Sequence, residues 1–200
     1  MTGDKEIIHV FDFDGTLTRK DSFIELIRTK AGTFGLFLGI LCYSPWLVMM
    51  KLGLYSNEKA KQRVFSHFFK NMSVSDFSAL CQELASRREE ILNQDVLIKL
   101  EEALGHDQQV FIVTASAAEW VQPFLPVHER LTIVATGLEV ENGRLTGHFS
   151  TSNCYGAEKV RRLKKLLPLS REHYYIVAYG DSRGDKEMFE FAEEKVIVKS

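Results

Sequence analysis

The residues 7–13, Ile-Ile-His-Val-Phe-Asp-Phe, constrain this fold more than any other stretch of the chain. They are rich in β-branched and aromatic side chains, they do not alternate with polar ones, and Asp14-Gly15-Thr16 closes them. A short unbroken apolar run bounded by turn residues is the pattern of a strand buried on both faces, which belongs to a parallel sheet covered by helices. Four further runs repeat the pattern: 110–113 before Thr114-Ala115-Ser116, 131–135, 174–179 before Gly180-Asp181-Ser182, and 196–198. Helical patterns lie between them at 117–124, 157–167 and 185–192. Strands alternating with helices imply right-handed crossovers, so the expected fold class is α/β, a three-layer Rossmann-like parallel sheet. Residues 138–149 break the rhythm, and Glu141-Asn142-Gly143-Arg144 predicts a β-hairpin with a structural role.

Residues 17–104 differ in kind. They contain no convincing strand and much helical periodicity, for instance at 74–84 and 91–100. This predicts an all-helical cap over the sheet, with residues 1–16 and 105–200 forming the core. Open α/β sheets bind ligands outside the carboxyl ends of their strands, and Asp12, Asp14, Thr114 and Asp181 all fall there.

A formal net charge of −2 argues against a nucleic-acid partner held by bulk electrostatics. The basic group Lys159, Arg161, Arg162, Lys164 and Lys165 reads as a solvated helix face, with Lys159 the exception below. Cys42, Cys81 and Cys154 are far apart and odd in number, which fits a reducing compartment. No charged and apolar leader precedes the first strand, so the expected location is cytoplasmic.

Phosphoryl transfer needs a nucleophile, a cation to offset phosphate charge, and fixed donors for the equatorial oxygens. Asp12 and Asp14 stand two apart at a strand end, so both can face one side, one attacking phosphorus and the other handling the leaving-group proton. Asp12, Asp181 and Asp185 offer the oxygen ligands that Mg2+ prefers. Thr114 brings a hydroxyl and Lys159 a mobile positive charge, both suited to phosphate oxygens.

Taken together and in this order, Asp12-Phe-Asp-Gly-Thr-Leu-Thr, then Val-Thr-Ala-Ser at 113–116, then Lys159, then Gly180-Asp-Ser-Arg-Gly-Asp resemble the haloacid dehalogenase superfamily. The position of the helical insertion is similar to the C1-type cap of its subfamily IB, the phosphoserine-phosphatase-like branch. The resemblance implies that Asp12 is nucleophile and metal ligand. It makes Asp14 the general acid/base, with its backbone carbonyl on the metal. Thr114, Ala115 and Lys159 would hold the phosphoryl group, and Asp181 and Asp185 would complete a magnesium site. Arg63, within Glu58-Lys-Ala-Lys-Gln-Arg-Val, resembles the cap arginine that grips the substrate carboxylate in phosphoserine phosphatases; the other reading is a solvated arginine. Three departures bear on the substrate: Gly15 stands where that branch usually has serine, Asp21 near its amine-binding glutamate, and Gly184 before Asp185 where it has asparagine. The expected substrate is therefore a small phosphorylated metabolite other than phosphoserine.

Residues 31–50 carry no charge and are flanked by Lys30 and Lys51. Three readings stand side by side: two buried or pocket-lining cap helices broken at Ser44-Pro45, weak contact with a membrane surface, or a membrane span. Relatives resembling phosphatidylglycerophosphate phosphatases carry an apolar stretch at a similar place, so a phospholipid head-group phosphate is the rival substrate.

Overall fold

The computed structural model describes residues 5–199, so the expectation for the extreme N-terminus lies outside the described residues. In chain order the elements are β1 (Glu6–Phe11), α1 (Ser22–Lys51), α2 (Asn57–Phe69), α3 (Val74–Ala85), α4 (Arg88–Ile91), α5 (Gln94–Gly105), β2 (Gln109–Ala117), α6 (Ala118–Val121), β3 (Leu131–Thr136), β4 (Leu138–Glu141), β5 (Arg144–Phe149), α7 (Ala157–Leu166), β6 (Tyr174–Gly180), α8 (Lys186–Phe191) and β7 (Glu194–Ile197).

Five of the strands form a parallel sheet in the order β3-β2-β1-β6-β7. β1 is central, with β2 and β6 on either side, so the connections leave it in opposite directions and a crevice opens at its carboxyl end. Both faces are covered, as the unbroken apolar runs require. Ile8, Val10, Phe111 and Ile176 pack with Leu163 of α7 and Met188 of α8. Phe11, Val110 and Ile112 pack on the opposite face in one cluster with Leu97, Leu100 and Leu104 of α5. The covering of the sheet thus begins inside the segment expected to be cap: α5 lies against β2.

The cap joins this second cluster through aromatic rings. Phe65 and Phe69 of α2 lie 5.0 Å apart, Phe65 stands 6.1 Å from Phe77 of α3, and Phe23 of α1 stacks 5.9 Å from Trp120 of α6. Burying such side chains contributes roughly 1.5–3 kcal/mol each, so this cluster is the main adhesive between cap and sheet. The expected hairpin forms, with Asn142 and Gly143 both at positive φ in the turn. It is a strut for the cap. Asn71 N–H donates to Leu145 O at 2.8 Å, Leu145 N–H to Met72 O at 2.9 Å, and Phe149 N–H to Gln62 Oε1 at 3.0 Å.

The apolar stretch departs from expectation. α1 does not break at Ser44-Pro45; its helical dihedrals fail at Gly32, at φ 67° and ψ 175°, which few residues but glycine tolerate. Pro45 lacks the N–H that Leu41 O, four residues back, would accept in a helix. The Ser44 hydroxyl donates to that carbonyl instead, at 2.8 Å, so the helix continues. It ends where Gly53, at φ 75°, lets Leu54 N–H reach Met49 O at 2.9 Å. Nor is this stretch simply buried, since Phe34, Phe37 and Leu41 are exposed.

At Gly147, φ is 87° and an added Cβ would lie 2.6 Å from Ser66 Oγ and 3.0 Å from Ser66 Cα. Gly147→Ala should therefore destabilise the protein by about 2 kcal/mol through strain and loss of the strut's seat on α2. Chemical denaturation checks this, and an unchanged midpoint would show that the strut carries no load.

Candidate active site

The carboxyl end of β1 sets the site. Asp12 follows the last strand residue in extended conformation, and its N–H donates to Tyr179 O of β6 at 2.9 Å. The chain then turns through Gly15 at φ 81°, where a Cβ would stand 2.4 Å from Asp181 Oδ2. A side chain here would have to adopt a left-handed backbone and displace the Asp181 carboxylate, and glycine avoids both.

Lys159, one turn into α7, is buried with its Nζ 2.6 Å from Asp12 Oδ1 and 2.6 Å from Asp185 Oδ1. Burial works against its positive charge, but the two carboxylates outweigh that and hold it above the ordinary lysine range. Burial pushes Asp12 up to about 7, with Lys159 pulling the other way and Asp185 and Asp14 adding to the push. Asp181 is also raised, by partial burial and by Asp185. Asp185 Oδ2 accepts from Asp181 N–H, Ser182 N–H and Ser182 Oγ at 3.1 to 3.2 Å, which fixes the loop that carries Asp181.

Ligand atoms of Asp12, Asp181 and Asp185 all lie within 4.8 Å of one another. Crowded, half-desolvated carboxylates raise one another's pKa, and a hard divalent cation with oxygen preference suits such a donor set. The residues present fit the magnesium expectation.

Asp14 faces the same pocket but is held on two sides. Its Oδ1 accepts from Ser22 N–H at 2.7 Å, at the first residue of α1, and its Oδ2 accepts from the Ser116 hydroxyl. Ser116 was missed by sequence reasoning, although it closes the same Val-Thr-Ala-Ser turn. Thr114 and Ala115 also line the pocket, and Thr114 Oγ1 accepts from Ser116 N–H at 3.0 Å. Asp21 lines the rim while capping α1, accepting from Ile24 N–H at 2.9 Å.

Arg63 does not come to the site. It is exposed, with its guanidinium 4.8 Å above the Trp46 ring. The cap cation in the pocket is Lys61, whose Nζ donates to Ala115 O at 3.0 Å and lies 5.5 Å from the Phe23 ring centre. Burial pushes the Lys61 pKa down, against the pull of Asp14, Asp21 and Asp12. Helix phase carried the signal: Phe65 and Phe69 mark the inward face of α2, and Lys61, four residues before Phe65, shares it, whereas Arg63 is turned away. The remaining wall of this cavity of about 360 Å³ is largely apolar and includes Phe23, Ile27, Leu36, Ile40, Met50 and Phe68.

The family model for haloacid dehalogenase-like hydrolases matches residues 9–190. The chain belongs to this family. It is 31% identical over 203 residues to Protein CicA of Caulobacter vibrioides, covering 98% of this chain and 88% of that one. A protein of unknown function from Bordetella pertussis Tohama I superposes with a TM-score of 0.81 at 19% identity, over 96% of this chain and 90% of that one. A phospho-aspartyl intermediate analogue of phosphoserine phosphatase gives 0.62 at 19% identity, over 96% and 86%. A phosphoserine phosphohydrolase-like protein from Francisella tularensis gives 0.64 at 18%, over the same shares. The α/β fold with its phosphoserine-phosphatase-like architecture is thus the fold of this family, and the chain is a hydrolase by membership.

The pairing of Asp12 with Lys159 has a measurable consequence. Lys159→Met keeps the length of the side chain but leaves the buried Asp12 without its cation, so Asp12 should titrate above 7 in metal-free protein. Carbon-13 NMR of the labelled carboxyl reads this directly. A midpoint that stays or falls would show that the ion pair does not govern the charge on Asp12.

Proposed function

We propose that this chain is a magnesium-dependent phosphatase that cleaves a phosphomonoester through an aspartyl-phosphate on Asp12. One observation carries the reading: a buried lysine lies within 2.6 Å of a strand-end aspartate whose oxygens cluster with those of Asp181 and Asp185. An Asp12 oxygen attacks phosphorus while the bond to the leaving oxygen breaks, and water then attacks the acyl phosphate to regenerate the carboxylate. Lys159 and Thr114, with the backbone at Ala115, meet the equatorial phosphoryl oxygens. Asp14, protonated, gives its proton to the leaving oxygen and as carboxylate takes one from the attacking water. Held by Asp12, Asp181 and Asp185 with the Asp14 backbone carbonyl, Mg2+ would supply the charge that lets a phosphate dianion approach this acidic site. Lys61 reads a polar group of the substrate beside the phosphate. The three cysteines are free thiols, in keeping with a cytoplasmic setting.

A small phosphorylated metabolite fits the polar end of the pocket. The apolar wall beyond Lys61 favours a second reading, a phospholipid head-group phosphate, because a polar metabolite would leave Leu36, Ile40 and Met50 in contact with water. A turnover screen of soluble sugar and amino-acid phosphates against phosphorylated lipids separates the two.

Asp12→Asn removes the attacking anion at nearly constant volume, so turnover of an aryl phosphate should fall by about three orders of magnitude or more. Chelation should abolish wild-type turnover, and Mg2+ should restore it. Near-normal rates in either case would sink the mechanism.

The two cap cations should behave differently. Lys61→Ala should raise KM for the true substrate by roughly tenfold or more, with a smaller effect on an aryl phosphate, as expected for loss of a charged contact. Arg63→Ala, outside the pocket, should leave both within about twofold. Steady-state kinetics with both substrates decides, and the reverse ranking would return Arg63 to the site.

A further inference from the structure

From Gly32 to Met50 α1 carries no charge on any side, and its two faces have different fates. The inner stripe packs on α2: a Cβ at Gly39 would stand 2.4 Å from the Phe68 ring, Tyr43 meets His67 at 5.3 Å, and Trp46 lies beneath Arg63. Leu36 and Met50 on this side line the pocket. The outer stripe, Phe34, Phe37, Leu38, Leu41, Val48 and Leu52, follows the helical repeat and meets solvent, each residue at least 43% exposed. Of the most apolar stretch of this helix only 22% of the residues are buried, whereas the core helix of a soluble domain is mostly buried.

We infer that this outer face is a membrane-docking surface that lays the cap on a lipid bilayer. Four observations favour lipid over a protein partner. Residues 31–50 carry no charge, so the face has nothing to set the register that paired charges give a protein interface. Its Ser44 hydroxyl is already committed to Leu41 O, and a protein interface needs about one hydrogen bond per 100–200 Å² where acyl chains need none. The edges of the face carry exposed Lys30 and the Arg63–Trp46 stack, a cation and an amphipathic aromatic of the kind that settles at an anionic head-group layer. The inner side of the same helix forms the apolar wall of the pocket, so one element presents oily surface to the solvent side and to the substrate.

The helix lies on the bilayer and does not cross it. Its first turns are fixed to the core, with Ser22 N–H on Asp14 and Trp120 Nε1 donating to Ser22 Oγ at 3.1 Å, and Leu26 and Ile27 buried. The break at Gly32 separates this anchored part from the apolar half, whose inner stripe is held on α2, so only the outer face is free to meet lipid.

The test is flotation of the full chain with vesicles of phosphatidylcholine and phosphatidylglycerol at a ratio of about 70:30, an anionic surface of the kind the rim would meet. Both wild type and Asp12→Asn should float, because docking needs no turnover; failure of the phosphatase reading is thereby kept apart from failure of this one. Phe37→Asp with Leu41→Asp should lower the floated fraction at least tenfold and leave aryl-phosphate turnover within twofold. Phe34→Ser, a milder change at the most exposed of the ring positions here, serves if the double variant does not fold and should weaken flotation severalfold. Wild type left in the dense fraction, or variants that float as well as wild type, would overturn the inference. So would a wild-type dimer in solution that ignores vesicles and that Phe34→Ser dissociates, since the face would then belong to a second copy.

Discussion

One ammonium group organises this molecule. Lys159 sits between Asp12 and Asp185, and through them joins α7, the end of β1 and the loop after β6. Without that charge two buried carboxylates would face each other across the strand ends at a cost of several kcal/mol. With it, the loop carrying Asp181 can sit against Gly15, and the acidic cluster can form at the carboxyl ends of the central strands β1 and β6, where its carboxylates would otherwise repel one another. The fit of α7 on the sheet and the arrangement of the acidic cluster rest on the same contact.

The cap is tied into this arrangement through chemistry as well as packing. Asp14 holds the start of α1 by its amide and is itself held by Ser116. Lys61 spans from α2 to the backbone at the carboxyl end of β2. The residues proposed for proton transfer and substrate reading therefore also tie α1 and α2 to the sheet.

Much of this was legible in the residues. Buried parallel strands announce themselves by unbroken apolar runs, and a two-residue Asn-Gly turn by its need for positive φ, so the sheet and the hairpin were placed within a few residues. The core site was legible because its residues follow strand ends, where topology leaves little freedom. The cap was less so. Its helix boundaries depend on tertiary partners: Pro45 is a helix breaker until Ser44 takes the orphan carbonyl, and Gly32 looks innocuous until the chain bends there. Motif likeness alone points to Arg63 and leaves a solvated arginine equally open, whereas helix phase relative to Phe65 turns Arg63 outward and Lys61 into the pocket. The exposure of Phe34 and Phe37 could not be read from an apolar run at all, because hydropathy states what a side chain prefers and packing states what it gets.

The polar ties of α2 are spaced along a single helical ridge. Glu58 Oε2 accepts from Asn153 N–H at 3.1 Å, Lys61 donates to Ala115 O at 3.0 Å, and Gln62 Oε1 accepts from Phe149 N–H at 3.0 Å. Positions separated by three and four residues share one side of a helix, so a small roll of α2 about its axis strains all three bonds at once. One side of α2 is thereby seated at once on three separate segments: the loop before α7, the carboxyl end of β2 and the end of β5.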